Sequence, residues 1–295
     1  MSHCDAAILP DRGAVRIGGA DARKFLQGLI TNDMEKARDG AAIHAGLLSP
    51  QGKILFEFFV VPAGDDFFLE GPRSMTADLG KRLGFYKLRA DVTVREEPGM
   101  QVAAAWGDDT VAAIEGAIVY RDPRVAELGY RALLPEGAVV AGFGCTERSA
   151  QDYHAMRINL GVPEGGRDFA YGDTFPHEAL FDQLNGVDFA KGCYVGQEVV
   201  SRIEHRGTAR KRIVPVSGDE PLPASSSEIL AGSVPIGALG SVNGTDGLAL
   251  LRLDRAGEAM AAGTPLTAGG VPIRLRRPAF ARFDMPVKPP RHEQG

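Results

Sequence analysis

From Arg210 onward the chain breaks into strand-length apolar runs, Arg212 to Val216, Ile236 to Val242, Leu248 to Leu253 and Val271 to Arg276, parted by clusters of Gly, Ser, Pro and Asn. Asn243-Gly244 and Ala268-Gly269-Gly270 are turn sequences of the kind that join neighbouring strands. The pattern predicts a small all-β domain, sandwich or barrel, over residues 208–295. That is about ninety residues, near the middle of the usual domain range. The polar stretch Pro289 to Gly295 is expected to fray.

Residues 1–207 read differently. Val15-Arg16-Ile17 predicts a short strand, and Asp21 can cap a helix whose apolar residues Ala22, Phe25, Leu26, Leu29 and Ile30 recur at helical spacing. Ile43 to Leu48 and Ile54 to Val61 are two apolar runs joined by Ser49-Pro50-Gln51-Gly52, which predicts a β-hairpin. Phe67 to Glu70, Val92 to Arg95 and Val102 to Trp106 add strands, and Arg73 to Leu83 reads as a helix after Pro72. Thr146 can cap a further helix that runs through Tyr153 and Met156 to about Leu160. Strands and helices without a regular β-α-β beat indicate an α+β region, possibly two interleaved subdomains.

Lys plus Arg total 33 against 38 Asp plus Glu, and the net charge of −5 supplies no global field toward nucleic acid or anionic lipid. Any anion site must be a local patch. No stretch approaches the ~20 apolar residues that span a bilayer. The start, Met1-Ser2-His3-Cys4-Asp5, lacks the basic-then-apolar order of a signal peptide, so a cytoplasmic protein is expected. No self-association motif is present and a monomer is expected. Cys4, Cys145 and Cys193 are too few and too far apart to suggest a disulfide framework, and no Cys-x-x-Cys pair offers a zinc site, so no metal ligands are assigned.

The third cysteine has the most informative surroundings. Cys193 stands between Gly192 and Tyr194, ahead of a run in which Val195, Val199, Val200 and Ile203 share one helical face and Gly207 supplies a stop. A thiol near a helix start with Lys191 beside it is placed where a thiolate would be favoured. A lone cysteine is also among the most often buried residues and acts as a small hydrophobe, so the local chemistry leaves both readings open. Gly192 and Gly196 bracket the thiol and permit close approach of a ligand to the backbone.

Two further features qualify as binding candidates. Arg202, Arg206, Arg210, Lys211 and Arg212 form a basic stretch in which an anionic tail could dock, although Glu198 and Arg202 could equally be an exposed helical pair. Glu178, after Pro176-His177, could accept hydrogen bonds from the N–H groups of a flat heterocycle in a cleft. A solvated acid is the plainer alternative.

The segments Arg157 to Gly165, Phe175-Pro176-His177-Glu178 and Lys191-Gly192-Cys193-Tyr194-Val195-Gly196-Gln197-Glu198 together resemble the YgfZ family, folate-binding relatives of the glycine-cleavage T-protein. Gly19-Ala20-Asp21, Phe25 to Gly28, Thr31-Asn32-Asp33 and Leu47 to Ile54 match the same family's opening. The matches span about residues 15–212, and the octapeptide is their most specific part. The resemblance implies a T-protein-like α+β region that holds tetrahydrofolate or a related folate in a central cavity, with a β-barrel appended. It implies a role in assembling or repairing iron-sulfur clusters, with the assembly machinery or client proteins as partners and an indirect effect on tRNA modification. Nucleic acid and membrane are not expected to be direct partners. Lys191 and Cys193 are the implied functional pair, with Gly192, Tyr194, Gly196, Gln197 and Glu198 shaping the site, and Glu178 and Arg202 as ligand contacts. The alternative is a folate-dependent aminomethyltransferase. Asn159 departs from the T-protein pattern, in which a pterin-binding glutamate occupies that place, and this weakens the enzyme reading.

Overall fold

The computed structural model describes residues 4–107, 111–207 and 209–286, so the tail from Pro289 lies outside the described residues. In chain order the α+β part comprises β1 (Asp5–Ile8), β2 (Arg12–Gly18), α1 (Ala22–Gln27), β3 (Ile43–Leu48), β4 (Ile54–Ala63), β5 (Asp66–Pro72), α2 (Thr76–Lys87), β6 (Thr93–Glu96), β7 (Gln101–Trp106), β8 (Ile118–Arg121), β9 (Tyr130–Leu134), β10 (Thr146–Glu147), α3 (Ala150–Leu160) and α4 (Gln197–Arg206). There follow β11 (Lys211–Gly218), β12 (Glu228–Ala231), β13 (Val234–Asn243), β14 (Asp246–Arg252), α5 (Leu253–Ala261), β15 (Leu266–Ala268) and β16 (Val271–Leu275). The strands make one sheet of order β3-β4-β5-β2-β6, a second of order β10-β1-β7-β9-β8, and a closed barrel, β11-β14-β13-β12-β15-β16. The α+β class and the C-terminal barrel both agree with the expectation from patterning.

The period of two in the strands decides which layer each side chain enters. In β4, Phe58 and Val60 pack with Leu26 of α1 and with Leu79 and Leu83 of α2. Their neighbours Phe59 and Val61 face the other way, toward Val102 and Ala104 of β7 and Tyr120 of β8. Both faces of β4 are therefore covered, and its run of aromatic and β-branched residues follows from that. The expected hairpin is present, with Ile43 opposite Val60 and Leu48 opposite Ile54.

Two local expectations need correction. Thr146 lies in β10 and does not cap α3; Ser149 does, accepting from the Asp152 N–H while the Asp152 carboxylate accepts from the Ser149 N–H. Cys4 and Cys145 form a disulfide across 141 residues of sequence. The cause is the parallel pairing of β1 with β10, which sets Asp5 opposite Thr146 and so brings the preceding cysteines together.

Between the two sheets lies a buried ionic network. Glu70 of β5, its side chain wholly buried, accepts from Arg12 Nε at 2.6 Å, from Arg131 Nε at 2.7 Å and from the Tyr120 hydroxyl at 2.7 Å. The Arg12, Arg124 and Arg131 guanidiniums all lie over the Phe59 ring, at 5.8, 4.9 and 4.8 Å from its centroid. Arg124 pairs with Asp122 and, with Arg131, donates to the Tyr153 hydroxyl of α3. Arg12 also reaches Glu164 at 3.2 Å. Burial raises the Glu164 carboxyl, but the surrounding Arg157, Arg12, His154 and Arg167 outweigh it and bring it to about 2.

Replacing Glu70 with Gln keeps the shape yet deprives buried Arg131 of its closest acid and leaves Arg12 with Glu164 alone, so urea unfolding is expected to show a loss of about 3–5 kcal/mol. A loss below about 1 kcal/mol would mean that water reaches these groups. Because the folded Glu164 carboxyl lies below its ordinary 4.5, its contribution is complete above that value and disappears as pH falls toward about 2. Thermal melts across this window should show a shallower decline for Glu164→Gln than for the wild type, and parallel curves would remove Glu164 from the acid response.

Candidate functional site

The signature segment is a loop that enters α4, and three distant stretches of chain hold it. Asp188 opens it: its Oδ1 accepts from the N–H groups of Ala190 at 2.7 Å and Lys191 at 3.1 Å, and its Oδ2 pairs with Lys36 at 2.8 Å. Burial raises the Asp188 carboxyl, but the Lys36 hydrogen bond and the two backbone N–H groups prevail and hold it below the ordinary range. Thr31 ties the preceding residues down, its hydroxyl donating to the Gly186 carbonyl while accepting from the Gly46 N–H. The Asn32 side-chain amide donates to the carbonyls of His44 and Asn185. The hairpin turn closes the far end. A Cβ on Gly196 (φ 82°) would stand 2.5 Å from the Ser49 carbonyl oxygen, and one on Gly52 would meet Val199 at 3.0 Å.

Lys191 and Cys193 point to different surroundings. Lys191 is only 7% exposed, and its ammonium donates to the carbonyls of Gln27, Ile30 and Asn32 at 2.8, 2.7 and 2.9 Å. A neutral amine has two hydrogens, so only the ammonium can serve all three acceptors, which lie at and beyond the C-terminal end of α1. Burial draws Lys191 down to about 8, against the opposing pull of Asp33 and Asp188. Cys193 is free and exposed, and stands before Gln197, the first residue of α4, outside its first turn. Among the described residues no hydrogen bond or ion pair joins the two; Lys191 fixes the loop and Cys193 is presented by it.

The remaining expected residues separate. Tyr194 is buried beneath the loop, its ring 5.2 Å from Lys191 Nζ, and burial followed by the nearby Asp188 raises its hydroxyl to about 12. Gly192 is exposed, Gly196 and Gln197 are half-buried at the helix start, and Glu198 is exposed. Arg202 is exposed one turn further along, and no ion pair joins it to Glu198. Glu178 is not brought to Cys193. Its Oε2 accepts from the Phe175 N–H at 2.8 Å, and it lines a cleft of about 250 Å³ with Phe175, Ile203, Arg210 and Lys211, beside the C-terminal half of α4. Asn159 is exposed on α3.

Asp188 was missed from sequence. An Asp whose side chain binds N–H groups two and three residues on is a local turn device, and Asp188-Phe189-Ala190-Lys191 carries that signal. Among the described residues two groups of side chains have metal-ligand composition, Asp11 with His154 and Glu164, and His177 with Asp182 and Glu204. Arginine already engages both, Arg167 pairing with Asp11 and Glu164 and Arg212 with Asp182, which disfavours a cation.

Lys191→Met should take this donor from three carbonyls, those of Ile30 and Asn32 buried and that of Gln27 partly so, and lower stability by about 2–3 kcal/mol in denaturant titration. Cys193 should still react with maleimide at least as fast as in the wild type. A loss of reactivity would mean that Lys191 acts on the thiol itself.

Comparison with known proteins places this geometry. Residues 210–283 match the family model described as CAF17, C-terminal beta-barrel domain. The iron-sulfur cluster assembly factor IBA57, mitochondrial, of Homo sapiens is 35% identical over 270 residues, covering 82% of this chain and 76% of that protein. The Mus musculus protein of the same name is 34% identical over 281 residues, covering 83% and 76%. The glycine cleavage system aminomethyltransferase T from Bartonella henselae superposes with a TM-score of 0.74 over 95% of this chain and 87% of that one. At 14% identity that likeness concerns the fold alone, and it agrees with the expected T-protein-like architecture. The cytoplasmic expectation is overturned, because these relatives are mitochondrial by name. The order of basic and apolar residues on which that expectation drew is a feature of secretion signals and is silent on import into an organelle. The resemblance to the YgfZ family is likewise refined: by identity and coverage, this chain belongs to the family of the IBA57 iron-sulfur cluster assembly factors.

Proposed function

We propose that the chain assists iron-sulfur cluster assembly through the Cys193 thiol, offered to a cluster or to a partner protein of the assembly machinery. The observation that carries this reading is the contrast within one loop: Cys193 is exposed and free, while Lys191 two residues before it is buried and hydrogen-bonded into place and Tyr194 just after it is buried. A soft thiolate is the ligand type that iron-sulfur clusters take, and a thiol on a fixed loop loses little conformational freedom when it binds. Loss of cluster-dependent tRNA modification would follow indirectly from loss of clusters. An aminomethyltransferase reading has no observation in its favour, since exposed Asn159 supplies no carboxylate where the T-protein has its pterin-binding glutamate.

A tetrahydrofolate-type ligand, proposed from the resemblance, does not fit the middle of the α+β region as it stands. Phe59 and the three guanidiniums occupy the space between the sheets. The cavity bordering the loop, lined by Asn32, Lys36, His44, Asn185 and Val187 among others, measures about 190 Å³. Pockets for complete cofactors begin at about 300 Å³. The function proposed here therefore routes no step through a folate held between the sheets or beside the loop.

Cys193→Ser should melt at the wild-type temperature and yet fail to restore activity of cluster-dependent enzymes in cells lacking the factor; full restoration would sink the role of the thiol. Calorimetric titration with tetrahydrofolate is expected to give no saturable heat in the micromolar range. Tight binding there would bring the folate back into the mechanism.

A further inference from the structure

The end of α2 carries an exposed feature that neither the core nor the thiol loop uses. Phe85 and Leu88 are 67% and 89% exposed, the latter the highest value among the exposed large hydrophobic residues. Lys81 and Phe85 are four residues apart and share one face of α2, and Leu88 follows at the cap of the same helix end. Around them the segment reads Lys81-Arg82-Leu83-Gly84-Phe85-Tyr86-Lys87-Leu88-Arg89, four cations with no acidic residue between Asp78 and Asp91. Lys81, Lys87 and Arg89 have no ion-pair partner among the described residues. In a chain of net charge −5 this is a local reversal of sign.

The backbone at Leu88 adds an independent observation. Leu88 ends α2 with φ 45° and ψ −108°, a conformation that glycine or asparagine adopts with less strain than a branched side chain. The side chain there buries almost nothing, so the fold itself is poorly served by leucine at this position. A strained, exposed apolar residue beside unpaired cations fits a role outside the fold.

We propose that the C-terminal end of α2 is a docking tip for an anionic lipid surface, with Phe85 and Leu88 entering the interface and Lys81, Lys87 and Arg89 meeting the phosphates. Its exposed apolar side chains suit an interfacial layer, and its cations complement anionic lipid. A second copy of the chain is disfavoured as occupant, because the same cations would face each other. An acidic protein is the remaining competitor.

The test is co-sedimentation of the full chain with vesicles of phosphatidylcholine alone and of phosphatidylcholine mixed with phosphatidylglycerol. The wild type should bind the anionic vesicles about tenfold better than the neutral ones, and added salt should weaken the association. Leu88→Gly, alone and combined with Phe85→Ser, should reduce that binding severalfold. Leu88→Gly should melt no lower than the wild type, since it relieves the backbone, which separates a docking defect from a folding defect. Equal binding to both vesicle types, no binding to either, or wild-type binding by the double variant would overturn the proposal. Binding to a polyglutamate peptide without binding to anionic vesicles would assign the tip to an acidic protein and overturn the lipid reading.

Discussion

The Glu70 carboxylate, enclosed by Arg12 and Arg131 and by the Tyr120 hydroxyl, is the interaction on which the α+β part is hung. A charge with no exposed surface is tolerated only when every lone pair is matched. Arg12 and Glu70 come from one sheet and Tyr120 and Arg131 from the other, so neither sheet can slide without uncovering a charge. Phe59 completes the arrangement by offering its ring to three guanidiniums, two of which, Arg124 and Arg131, also share the hydroxyl of Tyr153 on α3. The same groups occupy the space between the sheets. A T-protein-like frame is thereby kept while its middle is given over to charge pairing.

The barrel is attached by an extension of this logic. Buried Arg157 pairs with Asp168 at 2.7 Å and donates to the Ser241 hydroxyl, while Asp168 accepts from the Ser241 N–H at 2.6 Å. The end of α3 makes the second contact, Gly161 lying so near Pro215 and Pro278 that a Cβ would stand 2.8 Å from the former. Lys191 does for the thiol loop what Glu70 does for the sheets. One buried charge gathers carbonyls from residues 27–32 and fixes a segment far away in sequence. The loop's order is thus a consequence of burial and matched donors, and Cys193 inherits its placement from it.

Long periodic elements were legible without coordinates. The β3–β4 hairpin, the helix after Pro72, α4 with its stop at Gly207 and four barrel strands all follow from apolar spacing and turn residues, although α4 starts at Gln197, after Val195. Shorter or less apolar elements were not. β12 has four residues, β10 two, and α5 follows β14 directly at Leu253 and carries the helix-weakening Gly257, so the chain after Leu253 does not read as a helix. Thr146 and Ser149 are both plausible helix caps by type. Only the pairing of β10 with β1 decides between them, because it takes Thr146 into a sheet.

By itself the sequence determined an α+β region followed by a β-rich domain, and singled out Lys191 to Glu198 as the segment with chemistry. Both are written in local order, in the period of the apolar residues and in the neighbours of one cysteine. Tertiary structure alone decided that Lys191 is a buried clamp and Cys193 an exposed thiol, that Glu178 belongs to another cleft, and that Cys4 meets Cys145. The physical reason is that burial and the matching of charges depend on residues a hundred or more positions away. No local pattern states which carbonyls an ammonium will find.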